Sequence, residues 1–449
     1  MGTAVPARRV AVIGAGWAGL AAAVEMKRLG HAVVLSDMAP QPGGRARALV
    51  RADPDEPIWD NGQHILIGAY SATLGLMRQL CVPIDEHLWR GPLALRYPDG
   101  QGLSLPAGPA ASAFARGVWT ATGWTWRDKL ALLRTVATWA VRGFGCAAPS
   151  TVADLCGMLP DAVRRDLIEP LCVAALNTPA AQASGQVFLR VLRDAVFSGR
   201  SGADLLLPRV PLSDLLPLPA QRWLSQPGAA GQYPATCRWG QRTQTIEPAG
   251  ERWQVDGELF DAVVLAVPAS QAGQLCAVLA PTWSQAAAAL EYQPILTVYM
   301  RDTALRLSQP MTALRTGPDA PAQFAFDLGQ LQRADGHFAF VVSGASECLA
   351  DGVQAAAQQV LMQARQAFAG AFAAPDALRH AAAERRATFA CTPGLPRPGR
   401  DIAPGLVAAG DYVAGPYPAT LEGAVRSGLA AAQAIHRSGL VVQCKNSPY

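Results

Sequence analysis

The stretch VAVIGAGWAGL, residues 10–20, decides the fold of this chain. Its first four residues are apolar and long enough for a buried parallel strand, and the pattern Gly-x-Gly-x-x-Gly follows at Gly14, Gly16 and Gly19. In this pattern the glycines provide a tight turn, close approach of the backbone to a pyrophosphate, and close packing of the next helix. We expect that helix over residues 20–29, because Gly30 ends it.

A second apolar run, residues 32–35, delivers Asp37 to the end of a strand, 18 residues beyond Gly19. A carboxylate at this distance is suited to the hydroxyls of an adenosine ribose. The glycine pattern alone is weak evidence, but a preceding strand, a following helix and this acid complete a βαβ unit. The sequence therefore predicts a dinucleotide site that contains Gly14, Ala15, Gly16, Gly19 and Asp37.

Gly43, Gly44 and Arg45 follow six positions after Asp37. An acid followed by Gly-Gly-Arg at this spacing resembles the flavin amine oxidase and carotenoid desaturase superfamily, although glutamate is the more usual acid there. The resemblance implies FAD rather than NAD, with Arg45 near the phosphates and the glycine pair close to the cofactor. It also implies an α/β fold with a Rossmann-like FAD-binding domain and a second, α+β substrate domain.

Two further motifs extend the resemblance. The string Asp-Asn-Gly-Gln-His, residues 60–64, followed by Gly-Ala-Tyr at 68–70, is similar to the hydroxysqualene dehydroxylases of bacterial hopanoid pathways. This implies that Gly62 and Gln63 pass the flavin ring. Near the other end, residues 407–412 read as a strand that ends in Gly-Asp, and a helix follows. The resemblance places Gly410 and Asp411 at the ribityl and phosphate groups and Thr420 and the Leu421 N–H at the flavin pyrimidine.

The resemblance also implies a reaction: an allylic alcohol of a C30 isoprenoid loses water and accepts a hydride from reduced FAD, which gives squalene. Such chemistry needs a dry apolar site and a proton donor. His64 is the candidate donor because histidine titrates near neutral pH, and Tyr70 is the alternative. A structural role for His64 is the competing interpretation, and Glu422 is expected to serve only as a capping-box partner. A carotenoid desaturase and a non-catalytic prenyl-lipid carrier on the same scaffold are the rival functions.

The chain length of 449 residues predicts two domains. We assign residues 1–75, 206–290 and 385–449 to the FAD-binding domain, and residues 76–205 and 291–384 to the substrate domain. Within the latter, residues 93–105 have the pattern of a hairpin, residues 111–205 are expected to be largely helical, and residues 295–300 and 337–343 read as strands.

One predicted helix has an ambiguous apolar face. Arginines lie on one side of this helix, and apolar residues recur at helical spacing on the other. The apolar residues are Trp126, Leu130, Leu133, Ala137, Val141 and Phe144. The pattern is typical of a core-facing helix, but tryptophan with arginine also describes an interfacial membrane anchor. Trp119, Trp124 and Trp139 lie nearby in the sequence.

Composition narrows the classes of partner. The net charge is +4 without a basic block, so nucleic acid is not an expected partner, and the nine cysteines lack metal-site spacing, so no metal is expected. Reduced thiols fit a cytoplasmic protein. Charged residues are only 16% of the chain, and no apolar run reaches the roughly 18–20 residues that span a bilayer. We therefore expect a cytoplasmic protein, with peripheral contact to the inner face of the cell membrane if the tryptophan helix is an anchor.

Overall fold

The computed structural model describes residues 6–51, 53–197, 201–228 and 234–445. In these ranges the helices are α1 Trp17–Arg28, α2 Ser71–Gln79, α3 Ile84–His87, α4 Ala110–Thr120, α5 Trp126–Val141, α6 Val152–Cys156, α7 Asp161–Val163, α8 Glu169–Leu176, α9 Gly185–Phe197, α10 Leu212–Leu215, α11 Pro217–Ser225, α12 Ala269–Leu275, α13 Pro281–Ala288, α14 Val353–Ala367 and α15 Leu421–Lys445, with a π-helix at Arg164–Ile168. The strands are β1 Arg9–Ile13, β2 Ala32–Asp37, β3 Leu66–Ile67, β4 Leu88–Gly91, β5 Ala94–Arg96, β6 Gly102–Ser104, β7 Leu205–Pro208, β8 Thr236–Trp239, β9 Ile246–Ala249, β10 Arg252–Val255, β11 Glu258–Phe260, β12 Ala262–Leu265, β13 Tyr292–Arg301, β14 Met311–Ala313, β15 Phe324–Asp327, β16 His337–Ser343, β17 Leu378–Phe389, β18 Asp401–Ala403 and β19 Leu406–Ala408.

The βαβ unit predicted from residues 10–37 organises the larger sheet. Its strands have the order β18-β19-β12-β1-β2-β8, and all are parallel except the edge strand β18. Val10 at the centre pairs with Val33 on one side and Ala262 on the other. The strand is fully apolar after Arg9 because both faces of its sheet are buried, one against α1 and α15 and the other against the three-stranded sheet β11-β10-β9. The predicted Rossmann-like domain is confirmed, with the first helix beginning three residues earlier than expected.

The C-terminal helix α15 packs against α1 across the whole length of the sequence. The contact depends on Gly428, where an added Cβ would overlap the carbonyl oxygen of Ala18. Backbones can approach this closely only where a side chain is missing. The packing brings the first turn of α15, at Leu421, to the same end of the sheet as the glycine-rich turn.

A second sheet is entirely antiparallel, with the strand order β14-β15-β16-β13-β17. The predicted strands at residues 295–300 and 337–343 are confirmed as parts of β13 and β16, and α14 covers one face of this sheet. Sheet and helices together form the predicted α+β domain. Strand β17 continues to Phe389, past the boundary at residue 385, and the domain limits stay a prediction.

Residues 110–197 are largely helical, as predicted, and contain helices α4 to α9. The hairpin predicted around Pro98-Asp99-Gly100 is formed by β5 and β6. Strands β3, β7 and β4 make a small separate sheet that links this segment to the turn at residues 60–64. In the described part of the chain, no helix combines the length and the apolar character needed to cross a bilayer.

Of the two interpretations of the apolar face of α5, the core-facing one is wrong for the ends of the helix, and the membrane anchor stays a prediction. Trp126 is 64% exposed and Val141 is 89% exposed, while Phe144 lies beyond the helix end in a left-handed conformation. The buried side chains of this helix are Leu132 and Trp139, which are seven residues, or two turns, apart. An apolar stripe shows which residues are apolar but not which of them contact a neighbouring element. Helix α5 packs on the core through Leu132 and Trp139, with Val136 partly buried between them.

Candidate functional site

The glycine-rich turn separates two kinds of glycine. At Gly14, which has φ +102°, an added Cβ would overlap the carbonyl oxygen of Ala266, and at Gly19 it would overlap the carbonyl oxygen of Gly14. Gly16 differs, because a Cβ there would meet no atom within 4 Å. Gly14 and Gly19 therefore serve the packing of the fold, whereas Gly16 borders open space at the N-terminus of α1. This is where the helix dipole favours an anionic group.

The Gly-Gly pair crosses directly over this turn. The Gly43 N–H donates to the Ala15 carbonyl at 2.8 Å, and a Cβ on Gly44 would lie 3.0 Å from the Gly16 Cα. Asp37 closes the turn from the other side, because its carboxylate accepts the N–H groups of Ala15 at 2.5 Å and Ala39 at 2.7 Å. The two motifs that are separate in sequence thus form one cradle.

Arg45 joins the cradle to the far end of the chain. Its guanidinium lies 2.7 Å from the Asp411 carboxylate, 366 residues away, and donates to the Ala387 carbonyl at 2.7 Å. Burial alone would lower the pKa of Arg45, but Asp411, with smaller contributions from Tyr292 and Glu384, outweighs this effect and the pKa is raised. The resemblance places Arg45 near the phosphates and Asp411 at the ribityl and phosphate groups, and the structure shows in addition that the two side chains pair with each other.

The turn at residues 60–64 is fixed by buried polar groups. The Asp60 carboxylate lies 2.7 Å from Arg333 and accepts the Leu212 N–H at 2.9 Å, while the Tyr299 hydroxyl donates to the Asp60 carbonyl at 3.0 Å. Asn61 connects the turn to the cradle by donating to the Arg45 carbonyl at 3.0 Å. The Asp60 side chain is committed to these structural contacts.

Beside this turn lie two polar side chains without partners. Both amide atoms of Gln63 are buried and make no hydrogen bond to any described residue, and the same holds for Thr297 Oγ1 on β13. An added Cβ on Gly62 would lie 3.7 Å from that hydroxyl. A buried polar group without a partner costs about 1–3 kcal/mol, so these groups point to a ligand with polar atoms. Sequence reasoning missed Thr297, although it is the one polar residue between Ile295 and Met300 apart from the Tyr299 hydroxyl.

His64 has the geometry of an acceptor. Its Nδ1 lies 2.8 Å from the Gly62 carbonyl, which can only accept, so Nδ1 carries the proton and the neutral ring leaves a lone pair on Nε2. Burial lowers the pKa of His64, opposed by the Gly62 carbonyl and Asp60 and assisted by Arg45. This differs from the near-neutral pKa expected of a proton donor, because burial was not visible in the sequence.

Tyr70 and the start of α15 meet at another edge of the site. The Tyr70 hydroxyl hydrogen-bonds the Thr420 side chain, and burial raises the pKa of Tyr70. Thr420 Oγ1 accepts the Gly423 N–H at 3.0 Å and so caps α15, which begins at Leu421. The N–H of Leu421 is therefore one of the four that the helix itself leaves unpaired.

Glu422 does not complete a capping box on its own helix. Its carboxylate accepts the N–H groups of Ala72 at 3.0 Å and Thr73 at 2.9 Å, and thereby caps α2. The expected structural role holds, but on a neighbouring helix that sequence spacing could not identify. Gly410 completes this edge, since its N–H donates to Ser427 Oγ and an added Cβ would overlap the Tyr412 ring.

Hydrogen bonds therefore connect most of the predicted residues into one continuous group. The cradle of Gly14, Ala15, Gly16, Gly19, Asp37, Gly43 and Gly44 connects through Arg45 to Asp411 and through Asn61 to Gly62, Gln63 and His64. These residues fit a dinucleotide cofactor: open space lies at Gly16, and unpaired polar atoms lie on Gln63 and Thr297.

Comparison with known proteins agrees with this geometry. Residues 12–80 match the family described as an NAD(P)-binding Rossmann-like domain, and residues 229–436 match the family of flavin-containing amine oxidoreductases. Hydroxysqualene dehydroxylase of Rhodopseudomonas palustris is 28% identical over 96% of this chain and 99% of its own length. Hydroxysqualene dehydroxylase of Sinorhizobium fredii is 26% identical, with coverage of 95% and 97%.

Solved structures show the same fold at lower identity. An oxidoreductase from Methanosarcina mazei aligns with a TM-score of 0.72 and 13% identity over 95% of this chain and all of its own. Cyclohexylamine oxidase from Brevibacterium oxydans aligns with a TM-score of 0.66 and 17% identity, with coverage of 96% and 99%. The chain is therefore similar to the flavin-containing amine oxidoreductases over residues 229–436, and to two hydroxysqualene dehydroxylases over about 95% of its length.

Proposed function

We propose that this oxidoreductase is an FAD-dependent hydroxysqualene dehydroxylase, which converts hydroxysqualene to squalene in hopanoid-type isoprenoid synthesis. The observation that carries the proposal is the similarity to two hydroxysqualene dehydroxylases over about 95% of this chain and of each relative. The Asp-Asn-Gly-Gln-His string at residues 60–64 supports it, because the fold alone is shared with oxidases of other substrates.

FAD would be held by the cradle at one end and by the turn at residues 60–64 and the start of α15 at the other. The space at Gly16 and the N-terminus of α1 suit the pyrophosphate, and the Asp37 carboxylate suits the adenosine ribose. Gln63 and Thr297 offer donors and acceptors that no protein group satisfies. The first turn of α15 presents N–H groups that favour negative charge on a reduced ring. Bound FAD supplies a centre for hydride transfer.

The reaction balances as a substitution at one carbon. The C–O bond of the allylic alcohol breaks, the oxygen takes a proton and leaves as water, and the same carbon gains a hydride. The two electrons come from reduced flavin. The role of this chain is to orient the alcohol, exclude water from the carbocation and supply the proton.

We assign the handling of that proton to His64, which lies in the turn at residues 60–64. Because Nδ1 donates to the Gly62 carbonyl, the neutral ring has a lone pair on Nε2 that would accept a hydrogen bond from the substrate hydroxyl and orient it. It becomes a donor only when the ring is protonated, and the lowered pKa moves that state to more acidic pH. We therefore infer an orienting role at neutral pH and a proton-donating role that grows as the pH falls.

The proposal is tested by single-turnover product analysis. Enzyme reconstituted with FAD, reduced chemically and mixed with hydroxysqualene without oxygen should become reoxidised and yield one squalene per flavin. Enzyme reduced in the same way without substrate is the control for slow reoxidation. If hydroxysqualene leaves the flavin reduced while phytoene reduces the oxidised flavin, the chain is a desaturase. If purified protein binds no FAD at all, the result contradicts the proposal and favours the non-catalytic prenyl-lipid carrier.

A further inference from the structure

The helical hairpin formed by α4 and α5 exposes apolar side chains that no described residue covers. Trp119 and Trp126 are each 64% exposed, and Val141 is 89% exposed. Single exposed apolar residues are ordinary on protein surfaces, but tryptophan is costly to leave in water. Two such tryptophans at the end of one helix and the start of the next form a local apolar tip.

The same hairpin carries the net charge of the protein. Residues 110–145 contain five basic residues and one acidic residue, a balance of +4. The whole chain has 38 basic and 34 acidic residues, also +4, so the remainder is neutral overall. The single acid, Asp128, accepts the Thr125 N–H and hydroxyl at 2.8 Å and is committed to capping α5.

The cations lie beside the exposed tryptophans. The Arg127 guanidinium lies 5.4 Å from the centre of the Trp126 ring, and Lys129 donates to the Trp119 carbonyl at 2.8 Å. Trp119 and Arg116 also line a surface groove of about 610 Å³, whose other lining residues are Arg96, Ser104, Pro106, Ala115, Thr120 and Leu133. Tryptophan rings at the level of lipid headgroups, with arginine and lysine next to them, are typical of helices that lie on anionic membranes.

The opposite side of α5 faces an apolar interior. Leu132, Val136 and Trp139, at successive turns of the helix, line a small cavity together with side chains of α4, α9 and the π-helix. The hairpin thus separates this apolar interior from the tryptophan tip. An isoprenoid that leaves a bilayer would meet apolar surface on both sides of α5.

We propose that the α4–α5 hairpin is a docking surface for an anionic lipid bilayer, with Trp119 and Trp126 inserted among the headgroups. The binding surface stands on the exposure and charge of the hairpin, and its use in collecting an apolar substrate rests on the function proposed above. A second copy of this chain fits less well, because a face with a balance of +4 would repel itself.

Vesicle flotation tests the proposal. Purified protein is mixed with vesicles of phosphatidylcholine alone or with phosphatidylglycerol added, and the floating fraction is measured. We expect wild type to float with the anionic vesicles. We expect roughly tenfold weaker binding by the Trp119→Ser/Trp126→Ser variant, and roughly 100-fold weaker binding by an Arg127→Gln/Arg134→Gln/Arg142→Gln variant. The matched control is Val278→Ser/Met362→Ser, which removes apolar side chains that are 92% and 53% exposed elsewhere and should float like wild type.

Three outcomes would overturn the docking surface. They are wild type that stays unbound with both vesicles, a double tryptophan variant that floats like wild type, and light scattering that shows a wild-type dimer which the variant converts to a monomer. Thermal unfolding of each variant checks that the fold is intact. Because flotation needs no turnover, loss of the proposed activity with normal flotation would contradict the function and leave the docking surface standing.

Discussion

The dinucleotide cradle and the substrate side of the molecule differ in how sequence determines them. In the cradle, residues 10–45, the outcome depends on backbone geometry that only glycine allows, as at Gly14 and Gly19. On the substrate side, in α4–α9 and β13, it depends on which faces find neighbours. Helix α5 shows the contrast, because its existence was predicted correctly, whereas the sequence left open whether its apolar face meets the core or a membrane. Backbone requirements can be read locally, whereas packing is a property of the assembled chain.

The strongest way to break this contrast is to add a side chain to the cradle. Gly16→Val should abolish FAD binding and give colourless protein, because the new side chain would occupy the open space at the N-terminus of α1. The fold should remain, since no atom lies within 4 Å of the added Cβ. Flavin absorbance and thermal unfolding of the purified variant measure both effects.

Gly19→Ala is the matched comparison for Gly16→Val. There the added Cβ would overlap the Gly14 carbonyl, so folded protein should be lost together with the flavin. Stoichiometric FAD in Gly16→Val would contradict the assignment of this space to the pyrophosphate. Normal folding of Gly19→Ala would instead contradict the division of the glycines into two kinds.

The next largest effect concerns His64. His64→Ala should slow reoxidation of reduced enzyme by hydroxysqualene by roughly 10²- to 10⁴-fold at mildly acidic pH, the usual range for one general acid. Because burial lowers the pKa of His64, the protonated fraction, and with it the wild-type rate, should rise as the pH falls from 8 toward the lowered pKa, by roughly tenfold per unit. Stopped-flow measurement over this pH range gives the slope.

The variant supplies the control for that slope. The rate of His64→Ala should not change with pH. Asp60 is paired with Arg333, and Arg45 is paired with Asp411, so neither Asp60 nor Arg45 is free to supply the proton in place of His64. A wild-type slope that persists in the variant would move the proton donor to another group. Equal rates for both proteins would leave His64 with a structural role.

The predictions for the glycines and for His64 concern residues that the sequence identified, but the sequence did not identify most of the partners of the site residues. The strand, helix and glycine roles of residues 10–37 could be predicted because each follows from near neighbours. The partner of Arg45 lies 366 residues away and the partner of Asp60 lies 273 residues away, so neither ion pair could be predicted by spacing. Thr297 was missed for the same reason, since only the folded sheet places its hydroxyl beside Gly62.

The buried Asp60–Arg333 ion pair is the joint between the two regions, and we expect it to contribute measurably to the free energy of unfolding. Arg333→Met would leave the Asp60 carboxylate buried without its cation, and such a change costs about 3–5 kcal/mol in free energy of unfolding. Arg400→Met, which breaks a solvent-exposed pair with Asp401, is the control and should cost about 0–1 kcal/mol. Urea unfolding of the flavin-free proteins gives both values, and similar values for the two variants would mean that the joint is not a buried ion pair in solution.

The smallest expected effect is the most specific, because it should have opposite signs with and without the cofactor. Thr297→Val keeps the shape of the side chain and removes a buried hydroxyl that has no partner among the described residues. The flavin-free variant should be as stable as wild type or slightly more stable, because an unsatisfied polar group disappears. If that hydroxyl bonds the cofactor, FAD should bind roughly 2- to 10-fold more weakly, which corresponds to about 0.5–1.5 kcal/mol for one hydrogen bond. Thermal unfolding without FAD and titration with FAD separate the two effects.

Weaker FAD binding together with lower flavin-free stability would indicate damaged packing in β13, whereas unchanged FAD binding would place the Thr297 hydroxyl outside the cofactor site.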